Sequence, residues 1–154
     1  MEVKKSARHS NIVGDFFVHL IMYLLSKNGF ECIHVDYIGI DVIAKNPHTK
    51  KVMGISVKGR TRTGEQTKDR VKISNGNFDK MKTACETFNC RPYLAIIVDA
   101  EKSITGVITS LDNIEKKYPP TKSNLNWNMN SIDTYRSDDN CKVFEFNEGI
   151  HKWW

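Results

Sequence analysis

The stretch Tyr93-Leu94-Ala95-Ile96-Ile97-Val98 is an almost unbroken apolar run, rich in β-branched residues. A run this short and this apolar reads as a central strand covered on both faces. Such a strand exists only inside a sheet with other layers packed on either side, so the rest of the chain must supply strands to pair with it and helices with one apolar face.

Residues 12–25 supply the first helix. Ile12, Val13, Phe16, Phe17, Leu20, Ile21, Leu24 and Leu25 recur at i, i+3, i+4, the period of one buried helical face. Ser10 is the expected N-cap, and Asn28-Gly29 offers the left-handed residue at which helices stop. The period then changes. Glu31 to Val35 reads as a short strand, and Gly39 to Lys45 and Lys51 to Arg60 as two longer strands joined by the turn Pro47-His48-Thr49-Lys50. Ser74 or Asn75 can cap a second helix whose stripe Phe78, Met81, Cys85 and Phe88 faces the sheet. Ile104 to Thr109 reads as a further strand, Leu111 to Lys117 as a short helix and Val143 to Phe146 as an edge strand. The expected architecture is an α/β fold of one domain, residues 1–154, with a mixed central sheet flanked by helices. Its core spans about residues 11–109, and 110–154 form an extension of unassigned role.

Composition excludes little. With 154 residues, 40% hydrophobic and 27% charged, the chain is ordinary for a globular protein. Its net charge of +5 favours a polyanionic partner. The distribution of charge is more specific, because residues 58–72 hold Lys58, Arg60, Arg62, Lys68, Arg70 and Lys72 against only Glu65 and Asp69. Cys32, Cys85, Cys90 and Cys141 show no metal-ligand spacing and read as free thiols in a reducing, cytoplasmic compartment. The basic N-terminus ahead of residues 12–25 does not read as a signal peptide. Asp15 and His19 interrupt the apolar stretch, which is also shorter than the roughly 20 residues that span a bilayer, so no membrane partner is expected.

A four-residue loop at Pro47 to Lys50 makes Asn46 face Lys51 across the hairpin, and hence Asp41 face Ser56. Ser56, Lys58 and Arg60 then project to the side opposite Ile55 and Val57. Directly opposed Cβ atoms lie roughly 4.5 to 5.5 Å apart, and diagonal neighbours remain within reach of a long side chain. Asp41, Ser56 and Lys58 therefore converge on one small volume.

Gly39-Ile40-Asp41-Val42-Ile43-Ala44 followed by Gly54-Ile55-Ser56-Val57-Lys58-Gly59-Arg60 resembles the bipartite motif of the PD-(D/E)xK nuclease superfamily, especially its Holliday-junction-resolvase-like and restriction-endonuclease-like branches. Gly14-Asp15 on the first helix resembles the acidic helix of that family. The resemblance covers residues 11 to about 109 and implies a restriction-endonuclease-like core in the order α-β-β-β-α-β. It implies a metal-dependent DNA endonuclease, with branched or structured DNA among its candidate substrates, and leaves a homodimer open. Asp41 would be the central metal-binding carboxylate, Asp15 an accessory one acting directly or through water, and the Val57 carbonyl a further oxygen ligand for Mg²⁺ or Mn²⁺. Lys58 would orient or deprotonate the attacking water and neutralise charge on the phosphate. Arg60, Arg62, Lys68, Arg70 and Lys72 would contact DNA phosphates, the last three as a mobile clamp.

Ser56 departs from the pattern, since the family places an acidic residue there. A hydroxyl brings no charge, so Glu65 or Asp36 would have to compensate; otherwise the chain is a DNA-binding module that kept the fold and lost hydrolysis. His19 reads as a hydrogen-bonded histidine at a packing edge. Trp127, Trp153 and Trp154 are candidates for base stacking and equally for core or interface packing.

Overall fold

Helix α1, His9–Lys27, starts earlier than Ser10 would allow as its cap. The preceding turn is already helical: Arg8 stands at the N-cap in αR conformation with no side-chain cap bond, and His9 N–H donates to the Ser6 carbonyl at 3.0 Å. The helix ends as its sequence demands. Gly29 adopts φ 85°, and the N–H groups of Gly29 and Phe30 donate back to the carbonyls of Ser26 and Leu25. This computed structural model describes residues 4–62, 70–100 and 102–147.

Three antiparallel strands follow: β1 Glu31–Tyr37, β2 Ile40–Lys45 and β3 Val52–Thr61. The β2–β3 loop is built by Asn46, whose Oδ1 accepts from the N–H groups of His48 and Thr49 while its own N–H donates to the Lys51 carbonyl at 2.9 Å. That turn fixes the register expected from the sequence, with Lys45 opposite Val52 and Val42 opposite Ile55. Strand β4, Arg70–Ser74, comes before helix α2, Asn75–Phe88. Strands β5, Arg91–Asp99, and β6, Ser103–Ser110, are followed by helix α3, Leu111–Lys117. The chain continues through β7, Asn124–Asn128, a short helix α4, Ile132–Arg136, and β8, Cys141–Asn147.

The main sheet is mixed and six-stranded, in the order β1-β2-β3-β5-β6-β8. The apolar run occupies β5, which pairs in parallel with β3 and antiparallel with β6, so it is central as its composition requires. One face carries Val42, Ala44, Met53, Ile55, Ala95 and Ile97 and is covered by Phe17, Val18, Ile21 and Leu25 of α1. Ile21 is fully buried, which contributes roughly 1.5 to 3 kcal/mol. The other face carries Leu94, Ile96 and Val98 under Phe78 and Met81 of α2, and under the inner face of a second, two-stranded sheet formed by β4 and β7.

Further expectations fail here. Ile12 and Phe16, expected on the buried face of α1, are 56% and 45% exposed, because that face runs through Phe17, Val18, Ile21 and Leu25. Phe88 does not face the sheet; it is 41% exposed at the end of α2 and packs edge-on against Tyr37. Arg70 and Lys72 do not sit in a mobile clamp, because residues 70–74 are a strand paired through five registered positions with β7. Trp127 on β7 is 1% exposed, stacked on Tyr135 with ring centroids 4.4 Å apart, so it belongs to the core. Lys68, Glu65, Trp153 and Trp154 lie outside the described residues.

Candidate active site

Asp41 sits where β2 and β3 part. Hydrogen-bonded pairs alternate along an antiparallel ladder, and Asn46–Lys51 sets the phase. Ala44–Met53 and Val42–Ile55 follow, and Ile40–Val57 would be next. The ladder stops at Val42–Ile55 instead, and the Val57 N–H donates to Asp41 Oδ2 at 2.7 Å. A carboxylate oxygen thus stands in the place of a strand carbonyl. This holds the side chain in one orientation and leaves Oδ1 for another partner. Because a strand residue directs its N–H and C=O to the same edge, the Val57 carbonyl also points towards β2.

Two glycines let the helices close on this point. Gly39, at φ 104° in the β1–β2 turn, lies so close to α2 that a Cβ would fall 2.3 Å from the Lys80 carbonyl oxygen. On the opposite face, a Cβ at Gly59 would fall 2.0 Å from Phe17 of α1. The start of β2 and the end of β3 are therefore held between two helices, with no room for a side chain at either position.

Ser56 and Lys58 alternate with Ile55 and Val57, which pack under α1, so they project to the α2 side. Ser56 is 2% exposed and Lys58 is half-buried. Among the described residues, no hydrogen bond or ion pair engages the Lys58 ammonium, and Lys58 follows Val57, the residue bonded to Asp41, along β3. Asp15 is exposed on α1, outside its buried stripe, and its carbonyl accepts from His19 Nδ1 at 2.8 Å. His19 packs against His34 with ring centroids 5.8 Å apart, the packing-edge role expected for it. Asp36 is exposed on β1. Among the described residues no group of three His, Cys, Asp or Glu side chains is placed to hold a metal ion. A cation placed here would have the Asp41 carboxylate and one backbone carbonyl as protein oxygens, and Mg²⁺ is usually held by one or two carboxylates while keeping several waters.

Sequence reasoning missed how the basic residues are organised. Arg60 Nη2 donates to the Lys72 carbonyl at 3.5 Å and Arg62 Nη2 to the Arg70 carbonyl at 3.0 Å. Both guanidinium groups thus tie β4 to the end of β3. The signal was present as the alternation Arg70-Val71-Lys72-Ile73-Ser74, which the density of charge obscured.

The mixed six-stranded sheet with helices on both faces is consistent with a restriction-endonuclease-like fold. A solved structure with this fold is Hjc, a Holliday junction resolvase from the archaeal hyperthermophile Archaeoglobus fulgidus. It matches over 73% of this chain and 88% of its own, with a TM-score of 0.52 and 19% sequence identity. No family model matches the sequence, and no curated protein matches it significantly. Among the described residues no helix is long and apolar enough to cross a membrane.

Proposed function

We propose that this chain is a metal-dependent DNA endonuclease of the PD-(D/E)xK type that acts on branched DNA. The observation that carries the proposal is the Asp41 carboxylate held on the Val57 N–H at the parting of β2 and β3, one residue before Lys58 on β3. Asp41 Oδ1 and the Val57 carbonyl would hold Mg²⁺ or Mn²⁺, with Asp15 reaching the same ion through water. Bound there, the ion would lower the pKa of a coordinated water and offset charge on the scissile phosphate. Lys58 would donate to a non-bridging phosphate oxygen and orient the attacking water. Arg60, Arg62, Arg70 and Lys72 would neutralise flanking phosphates, and Lys68 is proposed to join them. Branched DNA is proposed because the fold is shared with a protein named as a Holliday junction resolvase. The reading extends to a homodimer, because Ile33 on the edge strand β1 is 58% exposed and Ile38 in the β1–β2 turn 75% exposed, surface that a second copy would bury.

A second reading is favoured by one observation: Ser56 is buried and uncharged where the family carries an acid, and no three-residue metal cluster exists among the described residues. In that reading the chain binds DNA without cutting it. Incubation with supercoiled, linear, single-stranded and four-way-junction DNA, in Mg²⁺, Mn²⁺ or EDTA, separates the two. Cleavage that needs the metal and is lost in Lys58→Ala supports the nuclease. Binding with no cleavage of any form replaces it with the binding module.

A further inference from the structure

The small β4–β7 sheet has two unlike faces. Val71, Ile73, Leu125 and Trp127 point inward and are buried against β5 and α2. The outward face is a polar row, with Arg70 opposite Asn128, Lys72 opposite Asn126 and Ser74 opposite Asn124. It carries two cations and three amides and no carboxylate. Asn128 Oδ1 accepts from the Asn130 N–H, and Asn124 Nδ2 donates to Ser123 Oγ. The exposed Asn126 side chain has no partner among the described residues, so its donors and its acceptor are both open.

Position distinguishes this row from an ordinary solvated face. Arg60 and Arg62 reach the carbonyls of Lys72 and Arg70, so each step along β3 away from Lys58 is matched by a step back along β4. The ribbon packs over Leu94, Ile96 and Val98, on the same side of the main sheet as Lys58. A polyanion whose backbone lies at Asp41 and Lys58 therefore meets the ribbon as its next surface. A two-stranded ribbon with outward cations and amides has the chemistry for it: Lys and Arg offset phosphate charge, and asparagine donates to phosphate or sugar oxygens.

We infer that the outer face of the β4–β7 ribbon is a contact surface for the sugar–phosphate backbone of a DNA arm, with Arg70 and Lys72 neutralising phosphates and Asn126 donating from its amide. This rests on the reading of the chain as a DNA-acting protein and adds to it a surface beyond the catalytic end of the sheet. Asn126 is the distinctive residue, because neither net charge nor the metal-site motif singles it out.

The test is equilibrium binding of the full chain to fluorescently labelled duplex and four-way-junction DNA in EDTA, across a salt series. Lys72→Ala is expected to lower the slope of log K against log salt by about one. Asn126→Asp places a carboxylate against phosphate and is expected to weaken binding on the order of tenfold. Asn126→Lys is expected to tighten binding and raise the slope by about one, a gain that a misfolded variant would not produce. Unchanged affinity and slope in all three variants would overturn the inference. A wild type that cleaves DNA while the variants bind as it does removes the ribbon surface and leaves the nuclease reading. A wild type that binds through the ribbon yet cleaves no DNA form leaves this surface standing and removes the nuclease reading.

Discussion

Asp41 is proposed to act twice, as a strand-end acceptor for the Val57 N–H and as a metal ligand, and two substitutions separate these roles. In Asp41→Asn the amide oxygen can still accept from Val57. A charge-assisted bond worth about 1.5 to 3 kcal/mol becomes a neutral one worth about 0.5 to 1.5, a loss of roughly 1 kcal/mol. In Asp41→Ala the half-buried Val57 N–H loses the acceptor now at 2.7 Å, and the cost rises to about 2 to 3 kcal/mol. For a chain of 154 residues each kcal/mol moves the melting temperature by roughly 2 to 4 °C, so the two variants should melt several degrees apart. Both should lose metal-dependent cleavage of supercoiled and junction DNA, because neither offers a carboxylate to a hard cation, while both keep most of their DNA affinity. Thermal melts followed by circular dichroism, run beside the cleavage assay, read both roles at once. Full cleavage by Asp41→Asn would refute the metal role, and equal melting of the Asn and Ala variants would refute the structural one.

Ser56→Glu restores the charge that the motif lacks and should move cleavage to lower Mg²⁺ concentration; reduced cleavage at every Mg²⁺ concentration would mean that another carboxylate already completes the shell. Gly59→Ala places a Cβ against the buried ring of Phe17 and should cost about 1 to 3 kcal/mol as α1 shifts, so a melt within about 1 °C of wild type would show that the close approach is easily relieved. Asp138, with its side chain 5% exposed, accepts from Lys117 Nζ at 2.7 Å and from Asn113 and Tyr118, which hold its carboxyl well below the usual carboxylate range. The stability it contributes is present above the unfolded pKa of about 3.9 and is lost as pH falls towards the folded value. Asp138→Asn should therefore cost about 2 to 4 kcal/mol at pH 7 and progressively less in acid, and a cost that does not change with pH down to about 3 would contradict this.

The parts of the fold that were legible are those whose signal lies within one segment. Helix α1 announces itself by the spacing of Phe17, Ile21 and Leu25, and β5 by its unbroken apolar run. The register of β2 on β3, from Lys45–Val52 to Val42–Ile55, follows from counting across a four-residue turn, but the next pair in that count, Asp41 with Ser56, does not form because the strands part there. The β4–β7 ribbon was not legible. Each strand is five residues long, its apolar positions are flanked by Arg and Lys in one case and by Asn in the other, and its partner lies some fifty residues away along the chain. Nothing local in Leu125-Asn126-Trp127 states that Val71 and Ile73 will cover the same patch of β5. Phe88 was misassigned for a related reason, since helical spacing gives a stripe but not where the sheet beneath it ends.

Sequence by itself determined which residues share a face and which oppose one another across a hairpin, because the periods of helix and strand and the length of a turn are local geometry. Only the tertiary structure decided that β2 and β3 separate at Asp41, so that a carboxylate oxygen takes the position of a strand carbonyl on the Val57 N–H. At the same end of these strands α2 lies against Gly39 and α1 against Gly59, from opposite faces of the sheet, and neither contact is written in the residues it brings together.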